Sequence, residues 1–488
     1  MKPKLLMSMA VCAALYMAAT AVAEKIDPVT LDVIPEAQDM LYNRAPKPLP
    51  WIAPEMMNVE YWVKRMAKPD EVVLSRDRIM AMNAAYQKRA ANPGYFASLP
   101  DGRRPEIINW WPGFNLSFTD LFPQSPAAVA DTVRTRIGYE IAYLHSREYA
   151  NAQGIKYSAE QIAGFEAEMA FKAIPSRVTP KAGITVRTAR LMNIPTFLPE
   201  QVGMTQAGKM RWGQFNILVV KIAEPVTVLH TSASGEYVFV ETERAYGWLR
   251  SEEVAVGTRE AIAAFGNPKD FIVCTGDRVN FYTDTNCTTA SGWFGMGARL
   301  PLASVSNPRI VNVPVRRTNG SLATETAWVK NDGNVSVGYL PYTRRNIVTV
   351  AFRLMDNPYD WSGAWYGRQH ESTYWDIFAC FGFKLPNHGT LFTFFNDNNT
   401  SVLQPEMGKD GYYRAINANP PFVTIQSCGG HCQLYLGDDN GRPIVFDQHG
   451  YGYQDENEEW FEVRRTNVGD LRLPRYFLLR EVTFLELR

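Results

Sequence analysis

"GRQHESTYWDIFACFGFKLP", residues 367–386, is the stretch on which the reading of this chain turns. A helix is predicted from about Gln369, an apolar face follows, and Leu385-Pro386 closes the unit. The residues that open this helix are His370 and Glu371. The first turn of a helix presents unpaired N–H groups and the positive end of the helix dipole.

Downstream, "HCQLYLG" and "RPIVFDQ" read as strands, and four of the six histidines lie after residue 369: His370, His388, His431 and His449. Upstream the character is β. "ILVVKI", "PVTVLHTS", "EYVFVET" and "AYGWLRSEEVA" have the size and rhythm of a small barrel. A second set, "FIVC", "RVNFYTDT", "GARLPL", "RIVNVPVR", "ETAWVKN" and "VSVGYLPYT", predicts another. Before about residue 177 the pattern is helical, as in "NVEYWVKRM" and "SRDRIMAMNAAYQKRA". Ser125-Pro126 marks one helix start, and Ser158 with Gln161 makes a capping box for another. Between these helices runs a segment rich in Pro, Gly and aromatics that reads as a wrapping segment. Its stripe from Asn109 to Phe114, "NWWPGF", suits packing or stacking on sugar.

At 488 residues the chain should divide into three or four domains. With 50 basic and 50 acidic side chains and no basic block, nothing electrostatic points to nucleic acid. Residues 1–23 read as a secretory signal peptide: Lys2 and Lys4, an apolar run, then Ala21-Val22-Ala23. Removing them leaves a formal charge of −2, and no later stretch is apolar enough to span a bilayer. Export permits disulfides, and Cys274–Cys287 is the expected bridge. Cys428 and Cys432 are candidates for a small loop closure, with metal binding as their alternative. Cys380 is expected as a buried free thiol.

Taken in order, "RTARLMNIPTFLP", "EPVTVLHTSASGEYVFVE", "MGARLPL", "VGYLPYTRRNIVTVAFRLMDNPYDWSGAWYGR", "FGFKLP" and "GGHCQLYLGDDNGRPIVFD" resemble the NlpC/P60 cell-wall peptidases that carry bacterial SH3 domains. The resemblance runs from about Glu55 to the C-terminus. It implies a multidomain α+β chain: signal peptide 1–23, helical N-terminal region 24–183, SH3-like barrels 184–256 and 257–343, and a papain-like domain 344–488. It implies a groove for peptidoglycan stem peptides, cleaved in the family between D-glutamate and a diamino acid. It implies no cofactor, and a secreted, periplasmic or cell-envelope location.

Carried over by position, the family's triad falls on His370, His431 and Asp447, with His370 where the family has its nucleophilic cysteine. Gln369, Glu371 and Ser372 fall on the segment that holds the ligand's amine, and Tyr359 and Trp361 on the groove wall. Cys380 lies about 15 Å along the helix from His370 and cannot replace a thiol there. Three outcomes follow: a binder of stem peptides with a degenerate peptidase site, a hydrolase acting through a metal held by His370, His431 and Asp447 or through other non-thiol chemistry, or a scaffold for other cell-wall enzymes.

Overall fold

The structure, a computed structural model, describes residues 49–90, 124–151, 154–196, 204–207, 210–386, 392, 395, 408–428, 431–450, 452–454, 460–470 and 482–488. The signal peptide, most of the wrapping segment with its Asn109–Phe114 stripe, and His388 lie outside the described residues.

The predicted helix starts form for the expected reasons. The Ser125 side chain accepts from the Ala128 amide with Pro126 in the first turn of helix Pro126–His145. Ser158 and Gln161 form a reciprocal capping box at Ala159–Glu168. These two helices pack on the first β unit: Val129, Val133, Ile137 and Phe165 share one core with Phe215, Phe239, Tyr246 and Trp248. The earlier helices, Val59–Val63 and Arg76–Ala90, belong to a different core. Trp62, Ile79 and Tyr86 pack with Ile347, Ala351, Phe383 and Phe422 from the C-terminal third. Hydrogen bonds fix that attachment. The Trp51 indole donates to Asp470 Oδ1 at 3.1 Å, and the Asn83 side chain bridges the Gly382 carbonyl and the Lys384 amide. The helical N-terminal region is therefore shared between two cores.

The first β unit is a seven-stranded antiparallel sheet. Its order is Asn216–Val220, Ala189–Met192, Tyr246–Arg250, Tyr237–Glu241, Pro225–Thr231, Lys181–Thr185, Val254–Val256. Helix Arg259–Gly266, capped by Thr258, leads into a second unit of two small sheets between Phe271 and Val337. The C-terminal third contains helices Arg344–Phe352, His370–Ala379 and Gly408–Asn417 with a five-stranded antiparallel sheet. Its order is Arg465–Asp470, Arg442–His449, His431–Asp439, Thr424–Cys428, Val482–Glu486. Among the described residues no helix is long and apolar enough to cross a membrane.

The cysteine expectations need correction. Cys274 and Cys287 are both free. Cys274 is buried in a strand with its thiol donating to the Gly276 carbonyl, whereas Cys287 lies in a turn at φ 55° and accepts from Arg309 at 3.4 Å. The Cys428–Cys432 closure is also not formed. Cys432 is in no disulfide; it is buried in the core, and the ladder sets it opposite Ser427. Cys380 is free and buried, and burial pushes its thiol up to about 12.

Candidate functional site

The residues that precede helix His370–Ala379 are clamped from three sides. Asp360 Oδ2 accepts from the Trp365 and Gly367 amides at 2.8 and 2.7 Å, which folds the loop on itself. From the first β unit, Arg190 donates to the Ala364 carbonyl at 2.9 Å; from the second, Arg278 donates to the Tyr366 carbonyl at 2.9 Å. Gly363 sits against the first unit so closely that a Cβ would lie 2.3 Å from Val219 Cγ2. Ser362 is held at φ 54° with its amide donating to Gln369 Oε1 at 3.0 Å. Left-handed backbone at a non-glycine residue costs of order 1–3 kcal/mol and persists only where the surroundings impose it.

Arg368 ties this loop to the whole assembly. Its guanidinium pairs with Asp376 at 2.7 Å and with Asp277 of the second β unit, while Asp376 also meets Lys221 of the first unit at 2.5 Å. The helix entrance is thereby fixed to both β units.

Three of the expected residues, His370, His431 and Asp447, come together. His370 is the first residue of its helix, His431 the first of its strand, and Asp447 lies on the adjacent strand. The His370 and His431 ring centroids are 4.8 Å apart. His431 Nε2 lies 2.9 Å from Asp447 Oδ1, and Gln433 donates to Asp447 Oδ2 at 2.8 Å. Gln426 in turn donates to Gln433. Burial would raise the Asp447 carboxyl, but the His431 imidazole beside it holds it well below the usual carboxylate range.

The other expected residues take different positions. Tyr359 stacks on His370 at 6.1 Å between centroids, with its hydroxyl 3.5 Å from Nδ1. The chain passes close behind it, since a Cβ at Gly450 would lie 2.7 Å from the Tyr359 ring. Gln369 and Ser372 are engaged at the helix entrance, where the Gln369 amide donates to Ser372 Oγ at 3.0 Å. Glu371 turns inward, only 2% exposed, with its carboxylate 2.9 Å from His370 Nε2. Trp361 stands in the short turn Trp361–Gly363 beside the first β unit, half-buried.

Sequence reasoning missed His449. Its ring centroid is 4.9 Å from that of His431, and burial pushes it down to about 3 against the pull of Asp447. The signal was present: Asp447 and His449 stand two apart on one strand and so point to the same face.

His370 and His431 keep 13% and 10% of their side-chain surface exposed, while Asp447 is sealed, so a ligand meets the two imidazoles first. The cleft between the first β unit and the helix entrance, lined by Val219, Ser362, Gln369 and Trp375 among others, has a volume of only ≈ 40 Å³. A larger cleft of ≈ 770 Å³ lies toward the other end of the helix. It is walled by Lys221, Glu224, Glu243, Arg244, Arg299 and Lys384, with Lys384 paired to Glu243 at 2.6 Å. That cleft is roughly 13 Å along the helix from His370 and shares no residue with the imidazole cluster.

Comparison with known proteins bears on this architecture. Residues 218–250 match the model of an SH3 domain of the SH3b1 type. A solved NlpC/P60 endopeptidase from Photobacterium damselae subsp. piscicida superposes with a TM-score of 0.63 over 88% of this chain and 96% of that one, at 15% identity. A structure of NlpC2 from Trichomonas vaginalis aligns with a TM-score of 0.23 at 10% identity, over 63% of this chain and 97% of that one. No curated protein matches the sequence. The chain shares the fold of a solved NlpC/P60 endopeptidase and carries an SH3 segment of the SH3b1 type within its first β unit.

Proposed function

We propose that this protein is an exported, cell-envelope binder of peptidoglycan stem peptides, built on the papain-like fold of a γ-D-glutamyl-diamino acid endopeptidase whose thiol position is filled by His370. The observation that carries this reading is the helix entrance. The first residue of helix His370–Ala379 faces His431, itself paired with a buried carboxylate, which is the layout of a thiol–imidazole–carboxylate relay with the thiol missing. An imidazole at that position can bind and donate hydrogen bonds, but it is not the thiolate that such a relay activates.

The exposed edges of His370 and His431, with Tyr359 behind, would meet the peptide. The SH3-like unit, which packs against the loop 359–369, supports the cell-wall assignment. The decisive experiment pairs calorimetry of the mature chain with an L-Ala-D-Glu-diaminopimelate peptide and dipeptide release from muropeptides with and without a thiol alkylator. The expected result is binding that His370→Ala weakens, with no alkylator-sensitive release. Robust release abolished by the alkylator would overturn the degenerate site, and absence of peptide binding would overturn the binder.

A further inference from the structure

A thiol–imidazole–carboxylate relay uses one imidazole and one carboxylate. His449 is surplus to it, yet it is fully enclosed beside His431. Ligand-capable atoms of His431, Asp447 and His449 all lie within 4.8 Å of one another. We infer that His431, Asp447 and His449 form a binding site for a divalent transition-metal ion, Zn²⁺ first, with His370 against the remaining coordination position.

The donor set is the first support. Two imidazoles and one carboxylate suit Zn²⁺ or Fe²⁺ and are poor for Mg²⁺ or Ca²⁺, which want oxygen. The second is where the donors stand. Asp447 and His449 are two apart on strand Arg442–His449, and His431 starts the neighbouring strand, so all three sit on rigid elements. The third is the surrounding shell. Asp447 accepts from Gln433, which accepts from Gln426, the kind of hydrogen-bonded backing that orients a ligating carboxylate.

Donors around a four-coordinate Zn²⁺ sit roughly 3.3 Å apart, given Zn–N and Zn–O lengths near 2.0–2.1 Å. The side chains therefore close by about an ångström or so on loading. The helix N-terminus opposes a cation with roughly half an elementary charge. Against it stands the full negative charge of the ligating Asp447 carboxylate, with Glu371 paired to His370 on the entrance side.

The site stands on residues shared with the stem-peptide reading but not on that ligand. The test strips the mature chain with chelator and titrates Zn²⁺ alone, with calorimetry and elemental analysis. One Zn²⁺ per chain is expected, with affinity reduced about tenfold or more by His449→Gln or by Asp447→Asn. His145→Gln, which removes an exposed histidine paired with Glu166, should change neither stoichiometry nor affinity. Co²⁺ on the wild-type chain should give the intense visible bands of four-coordination, a readout that does not depend on either variant folding. No stoichiometric uptake, uptake indifferent to His449→Gln and Asp447→Asn, or only the weak bands of six-coordinate Co²⁺ would overturn the site. Zn²⁺ uptake without peptide binding upholds the metal site and sinks the stem-peptide reading; peptide binding without uptake does the reverse.

Discussion

Tyr374 Oη donates to the Phe446 carbonyl at 2.7 Å and accepts from the Leu434 amide at 3.1 Å. Leu434 and Phe446 are cross-strand partners, so one side chain of the His370 helix is hydrogen-bonded to both strands of the site. Tyr374 is one helical turn from His370, Leu434 is three residues from His431, and Phe446 adjoins Asp447. The buried hydroxyl thus sets how the helix entrance faces the imidazole and carboxylate.

Tyr374→Phe keeps the ring and leaves a buried carbonyl and a buried amide without that partner. A loss of roughly 1–3 kcal/mol is expected. Chemical denaturation should show it as a lower midpoint with an unchanged slope. An unchanged midpoint would mean that the helix is positioned by packing alone.

Arg368→Leu should be more damaging. The guanidinium joins Asp376 to Asp277 across two structural units, and removing one member of a buried ion pair costs about 3–5 kcal/mol. Replacing Asp277 as well, in Arg368→Leu/Asp277→Leu, should recover part of the loss, because Asp277 is no longer stranded and Asp376 keeps Lys221. A single variant as stable as wild type in thermal unfolding would remove this ion pair from the account of domain docking.

Much of this was legible in the chain. The helix beginning near Gln369, the strands "HCQLYLG" and "RPIVFDQ", and both caps are local signals, and local signals survive folding. The association of His370, His431 and Asp447 came from the order of motifs, not from spacing. His449 was missed because strand alternation places a residue on a face without saying what that face meets. The expected Cys274–Cys287 bridge failed for a related reason: in the sequence both end short β-like runs, but Cys274 points into a core and Cys287 sits in a turn. The inward turn of Glu371 was equally invisible, since nothing in "QHES" says which side of the first turn is buried.

Asp360 offers a pH test. Burial raises its carboxyl to about 6, against the Trp365 and Gly367 amides that favour the charged form. The folded state therefore holds a proton that the unfolded chain has released, and stability falls as pH rises from about 4 to about 6. At 1.36 kcal/mol per unit the span is roughly 3 kcal/mol. Asp360→Asn keeps an acceptor for both amides and removes the titration. Its thermal midpoint should exceed that of wild type at pH 7, and the gap should shrink at pH 4.5. A variant equally destabilised at both pH values would show that the carboxylate is needed as an anion.

The final prediction concerns the proposed thiol position at residue 370. On the proposed reading, His370→Cys places a sulfur opposite His431, but it leaves in place Glu371, whose carboxylate lies 2.9 Å from the imidazole that is lost. A buried carboxylate beside the helix entrance disfavours a thiolate there, so less nucleophile is present at neutral pH. Geometry adds to the deficit, because displacement of a reacting atom by an ångström can cost ~100-fold in rate. His370→Cys alone should therefore release little dipeptide from muropeptides, and His370→Cys/Glu371→Ser should release about tenfold more. Tenfold corresponds to one unit of thiol pKa, the least that removing an adjacent carboxylate should return. Turnover by the single variant comparable to an active NlpC/P60 endopeptidase would show that Glu371 is no obstacle. Equal inactivity of both variants, with peptide binding intact, would place the defect in backbone geometry at the Ser362–Gln369 entrance.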